Sequence, residues 1–237
     1  MARELRPPSR GLALREGLTA LEPARLFLHG PKLALQPRGN GHPVVVLPGF
    51  GAGDISTMPL RGYLRALGHD ARGWGLGTNT GDVHTCVGQM IARVARLADR
   101  SERKIPLVGW SLGGVIAREV ARDRPDLVEQ VITFGSPIIG GPRYTRPGAA
   151  YVANGRDMAA IDAIIAARNE RPITVPITVI YSKGDGVVAW RACLDHLSPN
   201  VEHVEVDTTH LGLGLHHRVY IELARRLSRP SAPQRSA

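Results

Sequence analysis

Apolar and polar positions change period several times along this chain, and each change marks an element. Residues 42–48 (HPVVVLP) form a short β-branched run closed by proline and glycine, which predicts a buried strand. Between 57 and 67, Leu60, Leu64 and Leu67 fall on one face of a predicted helix. Residues 70–74 read as a second strand. Asp82 is a residue type suited to an N-cap, and behind it Val83, Val87, Met90, Ile91, Val94 and Leu97 recur at helical spacing. A strand is expected over 105–109 and a helix over 112–122, stopping near Pro125. Three more strands are expected at 127–134, 177–181 and 201–206. A final helix over 215–227 carries Leu215, Val219, Leu223 and Leu227 at i,i+4 spacing.

Strands alternating with helices predict the α/β class, with a mainly parallel central sheet covered by helices on both faces. A chain of 237 residues suits one sizeable core, placed here at 39–228. Residues 140–172 interrupt the alternation. They are rich in Gly, Ala and Arg, with a helix-like stretch at 158–167, and predict a small cap or lid inserted at one edge of the sheet. Residues 1–38 form a basic N-terminal extension, partly helical. Its first 16 residues, rich in Arg and Pro, are expected to lack order; 17–35 show helical spacing at Leu18, Leu21 and Leu26, broken by Gly30 and Pro31. A disordered tail is expected at 229–237.

Net charge is +9, and its location matters more than its size. Residues 1–38 hold seven Arg or Lys against three Glu, and 225–237 hold four Arg and no acid. The region between is almost balanced. No basic face with interleaved aromatics accompanies the excess, so nucleic acid is not an expected partner. Solvated basic ends are the plainer reading, and weak association with anionic membrane surfaces is the sharper one. Cys86 and Cys193 make no disulfide framework and are expected as buried thiols. With no apolar leader and no apolar run approaching ~20 residues, a cytoplasmic protein is expected.

Gly109-Trp110-Ser111-Leu112-Gly113 matches G-x-S-x-G, with a predicted strand before it and a predicted helix after it. In that setting the serine sits on a sharp turn that only small neighbours permit, its hydroxyl exposed at the carboxyl edge of the sheet. A serine nucleophile needs a base, and the base needs an acid, in the chain order Ser, acid, His. Of the downstream histidines (His196, His203, His210, His216 and His217), His210 alone falls in a loop after the last strand. Asp185, between two glycines after the preceding strand, is the chosen acid, with Asp195 and Asp207 as rivals and an ordinary turn aspartate as the bland alternative. The oxyanion donors are assigned to the backbone N–H of Leu112 and of Phe50, with Gly51 as the nearest alternative to Phe50. Trp110 and Met58 are the substrate-binding candidates; they, Phe50 and Trp74 could equally be ordinary core. Neither metal-ligand spacing nor a phosphate-cradling loop is present, so no cofactor is expected.

These residues resemble the α/β-hydrolase superfamily, and more narrowly its bacterial lipase- and esterase-like members. The resemblance covers about 42–228 and rests on Leu47-Pro48-Gly49-Phe50-Gly51, Gly109 to Gly114, Phe134-Gly135-Ser136-Pro137, Gly184-Asp185-Gly186 and His210-Leu211-Gly212. The usual His-Gly of the oxyanion loop is replaced by Pro48-Gly49, the opening strands are not evident before 42, and the cap is short. The resemblance implies a serine hydrolase that cleaves carboxylic esters of small-molecule or lipid substrates through an acyl-enzyme. An acyltransferase using the same triad and a non-catalytic binding protein of the same fold are the alternatives.

Overall fold

The computed structural model describes residues 5–148 and 157–229. The tail expected at 229–237 lies almost wholly outside the described residues, as does the middle of the proposed cap. Six strands form one sheet: β1 (Pro43–Leu47), β2 (Asp70–Gly73), β3 (Ile105–Trp110), β4 (Val128–Phe134), β5 (Ile177–Tyr181) and β6 (Val201–Glu205). Their spatial order is β2-β1-β3-β4-β5-β6, and every neighbouring pair is parallel.

Alternating side chains along the strands feed two cores. Val45, Leu47, Leu107, Val131 and Val179 face one layer, where they meet α5 (Val83–Ser101) and α6 (Leu112–Asp123). Val44, Val46, Val108, Ile132 and Ile180 face the other, against α4 (Met58–Ala66) and the last helix, His217–Leu227. A strand buried on both faces has no polar side to show, which is why these segments read as unbroken apolar runs. Each fully buried Val, Leu or Ile contributes roughly 1.5–3 kcal/mol of transfer free energy, so the two layers dominate stability.

Helix limits follow the sequence signals closely. Asp82 caps α5 by accepting from the N–H of Thr85 at 3.1 Å. The last helix begins two residues later than expected, at His217, because Leu215 belongs to the turn that precedes it. Helix Met158–Asn169 starts under Asp157, whose side chain accepts from Ala159 and Ala160.

The N-terminal segment departs from expectation. Residues 10–16, expected without order, form α1 (Arg10–Leu14) and enter a 3-10 turn (Arg15–Leu21). Helices α2 (Glu22–Leu28) and α3 (Gly30–Ala34) follow, so Gly30-Pro31 starts a helix and does not merely end one. For the insertion and the last helix we use α7 (Met158–Asn169) and α8 (His217–Leu227). Cys86 and Cys193 are buried and free, as expected. No helix among the described residues is long and apolar enough to cross a membrane.

Candidate active site

The order of the strands locates the site. The chain runs outward from β1 to β2 and then returns to the opposite side of β1 to make β3, so the loops after β1 and β3 diverge from a crevice at the carboxyl edge. Leu47 pairs with Gly109 at the ends of those strands, which sets the Pro48–Gly53 loop beside Ser111. Tyr181 pairs with Glu205 in the same way and brings the loops after β5 and β6 together.

Ser111 stands between β3 and α6 with φ 53° and ψ −123°, a positive φ shared among described non-glycine residues only with Glu102. Strain of this kind persists only where the surroundings over-determine it. Here the N–H of Ser111 donates to the carbonyl of Phe134 at 2.9 Å. A Cβ on Gly109 would run into the backbone of Gly114, and one on Gly113 into the carbonyl of Leu47, so the G-x-S-x-G glycines are what the tight turn needs.

Asp185 and His210 meet across the adjacent loops, Oδ2 to Nδ1 at 2.7 Å, both nearly buried. The other carboxylate oxygen, Oδ1, accepts from the N–H groups of Val187 (2.8 Å) and Val188 (2.6 Å), which aims Oδ2 at the imidazole. A carboxylate only accepts, so Nδ1 carries the proton and Nε2 is left as the basic nitrogen. Ser182 ties the two loops again: its hydroxyl donates to the carbonyl of Thr208 and accepts from the N–H of Gly184. The His210 ring lies over the end of β4, where a Cβ on Gly135 would meet it at 3.0 Å, and 6.2 Å from the ring of Trp110. Cys193 lies near the acid; burial first, then the charge of Asp185, push its thiol well above the ordinary range, so it packs as a neutral group.

Of the rival acids, Asp195 is engaged elsewhere. Asp195 pairs with the buried Arg118 at 2.8 Å and accepts from the N–H groups of Leu197 and Ser198, outside any helix. Desolvation works against its charge, but Arg118 and the amides outweigh it and hold the carboxyl below its ordinary value. Asp207 is exposed. His203 accepts from the N–H of Asp195, and His216 and His217 cluster with His29 of the N-terminal segment.

In the loop after β1, the N–H of Gly51 donates to the carbonyl of Asn79 at 2.8 Å. Asn79, fully buried, organises this loop: its Nδ2 donates to Pro48 and its backbone N–H to Ala52. Nothing in the sequence pattern singled it out beyond its place in a polar stretch before Asp82. Trp110 stands next to Ser111, against Phe134 and His210. Met58 is 59% exposed on the first turn of α4, in the segment that follows the Pro48–Gly53 loop. Trp74 is core: it is fully buried and its Nε1 donates to Gly77.

No family model matches the chain. Over 105 residues it is 34% identical to the pimeloyl-(acyl-carrier protein) methyl ester esterase of Aliivibrio salmonicida, covering 43% of this chain and 38% of that protein. Over 112 residues it is 32% identical to the protein of the same name from a Shewanella species, covering 46% and 40%. The chain thus matches about two-fifths of the length of these curated relatives. A solved structure from the metagenome-derived lipolytic enzymes LipS and LipT superposes with a TM-score of 0.61 at 18% identity, covering 82% of this chain and 95% of that one. At that identity the likeness is one of fold, and the chain has the α/β-hydrolase fold.

Proposed function

We propose that this protein is a serine hydrolase that cleaves carboxylic esters through Ser111, His210 and Asp185. The observation that carries the reading is the 2.7 Å contact between Asp185 and His210, whose imidazole lies 6.2 Å from the ring of Trp110, the neighbour of a serine held at positive φ. The relatives matched over part of their length are named as methyl ester esterases, and the solved neighbour as lipolytic, which supports an ester over an amide or a phosphate.

On this reading, Nε2 of His210 takes the proton of Ser111 as Oγ adds to the ester carbonyl. The imidazolium that forms is held by Asp185. Negative charge on the carbonyl oxygen is met by the N–H groups of Leu112, the first residue of α6, and of Phe50 in the loop beside it. The proton then passes to the leaving alkoxide, the C–O bond breaks, and an acyl-enzyme remains. Water adds by the same route, with His210 as base, and frees the acid. Trp110 and Met58 are assigned to contacts with the substrate.

The test is hydrolysis of p-nitrophenyl esters from acetate to palmitate by the wild type and by folded Ser111→Ala. Loss of kcat by about 10⁴-fold or more is expected, with the preferred chain length separating esterase from lipase. Turnover that survives the substitution would overturn the serine mechanism.

A second reading concerns the surface beside the site. Leu14, Leu18 and Phe27 are exposed on the N-terminal segment, interleaved with Arg10, Arg15 and Arg25. Apolar and cationic groups mixed in this way support weak association with anionic lipid surfaces. Co-sedimentation with phosphatidylserine vesicles that disappears in salt is expected; equal binding to neutral vesicles would count against it.

A further inference from the structure

We propose that Glu16, in the N-terminal segment far from the triad in sequence, is a positioning residue for Asp185 and His210. This rests on the triad reading above. The Oε1 atom of Glu16 accepts from the backbone N–H of Gly186 at 2.8 Å and from that of His210 itself at 2.9 Å. Its Oε2 accepts from the N–H of Leu211 at 2.9 Å. One carboxylate therefore grips the residue after the acid, the base, and the residue after the base.

The grip is of the kind that fixes relative position. The acid and base ride on loops from two separate strands, and their contact depends on how those loops are shifted against each other. A rigid planar group with acceptors on both loops removes that freedom, and N–H···O⁻ bonds are stronger than neutral ones. Misplacement of a catalytic group by ~1 Å costs as much as 100-fold in rate, so a fastening at this point bears directly on turnover.

The segment is seated by shape as well as by charge. A Cβ on Gly186 would run into the carbonyl of Leu12, so α1 lies directly on the acid loop. Thr19, one 3-10 turn after Glu16, shares a hydrogen bond with Thr209 at 2.7 Å. That second bond touches the same loop without reaching the amides of the acid or the base, which makes Thr19 a natural control.

The test uses the full chain and three variants: Glu16→Gln, Glu16→Asp and Thr19→Val. In Glu16→Gln one oxygen still accepts, but the NH2 turns donors toward backbone N–H groups. Three quantities are read beside the melting temperature: kcat and KM on a p-nitrophenyl ester, the rate of Ser111 labelling by a fluorophosphonate, and the acidic limb of the pH profile. Glu16→Gln is expected to lower kcat by about 10–100-fold with KM within threefold, and to slow labelling by the same factor. The acidic limb should move to lower pH, because a loosened Asp185 contact and a lost carboxylate both disfavour the imidazolium. Thr19→Val should lower the melting temperature and leave kcat and the limb unchanged. If Glu16→Gln does not fold, Glu16→Asp, whose shorter arm cannot span both loops, carries the same expectations at smaller size. A folded Glu16 variant with wild-type kcat, labelling and limb overturns the proposal whatever its melting temperature. Failure of the wild type to turn over esters or to be labelled at Ser111 would instead remove the triad reading, and this role with it.

Discussion

The N-terminal segment and helix α7 both lie outside the sheet, yet they are fastened in opposite ways. The segment reaches the loops that carry Asp185 and His210 through groups withdrawn from water: Glu22, 2% exposed, accepts from the hydroxyl of Thr208 at 3.0 Å, and the Leu33 side chain is buried between α4 and α8. Helix α7 buries no residue fully. It is held by ion pairs partly open to solvent, Arg168 with Glu119 and Asp123 of α6 and Asp162 with Arg143, and just past its end Arg171 pairs with Asp123. Near the end of α7 the buried Arg122 guanidinium also reaches Asn169 and the carbonyl of Arg171, so the junction with β5 is firmer than the helix before it. The positioning role proposed for Glu16 requires that its segment be held by directional, unscreened contacts. A segment held by screened charges can lift away at little cost.

The largest effect should come from breaking a buried fastening. Thr208→Val keeps the shape of the side chain and removes one of the two hydrogen bonds to Oε1 of the buried Glu22, leaving only that from Arg25 at 3.0 Å. A loss of about 2 kcal/mol is expected, read as a fall of ~4–8 °C in melting temperature for a chain of this length. A melting temperature equal to the wild type would mean that the segment is not fastened by its buried polar groups, and the contrast with α7 would fail.

How these regions compare with their sequence signals shows what a sequence exposes. The elbow, the six strands and the order of Ser111, Asp185 and His210 are legible because each depends on neighbours: a period, a glycine beside a turn, a loop after a strand. The fastening by Glu16 depends on residues 170 to 195 positions away, and such pairings leave no periodic trace. Arg- and Pro-rich composition read as lack of order, because composition reports what a segment can bury by itself and not what it docks on. Asn79 was hidden for the same reason, since its partners Pro48 and Gly51 lie on another element. A hint was present at Gly186, where a residue without a side chain stands beside the acid.

A smaller effect is expected from acid. His29 of the N-terminal segment stacks on His217 with centroids 3.7 Å apart, and His217 lies against His216 at 4.6 Å. Burial first, then the neighbouring Arg218 and Arg25, lower His216 to about 4; burial and the other two imidazoles lower His217 to about 4. Asp207 and Glu22 oppose these shifts without reversing them. Because the folded values lie below the unfolded one, the unfolded chain takes up protons first. The stabilisation is therefore complete above pH ~7 and is lost as pH falls through 6.5 toward 4. With screening by solvent allowed for, His216 should account for about 1 kcal/mol of loss by pH 5.5. Melting curves between pH 7.5 and 5.5 should show a shallower fall in His216→Gln than in the wild type. Identical slopes would show that the docked segment has no acid-labile end.

The smallest effect belongs to α7, and its dependence on salt says more than its size. Arg168 is 30% exposed, and its partners are exposed by 15% and 26%. Arg168→Ala should lower stability by about 0.5 kcal/mol at low ionic strength. Near 0.5 M salt, where charges screen over ~4 Å, that difference should vanish, while the deficit of Thr208→Val, made by a contact closed to ions, persists. The paired measurement is decisive because both substitutions remove contacts to a carboxylate and differ chiefly in access to solvent. An Arg168 deficit that survives the salt would place α7 among the firmly fastened parts of the molecule, and the insertion would then be a fixed wall of the fold.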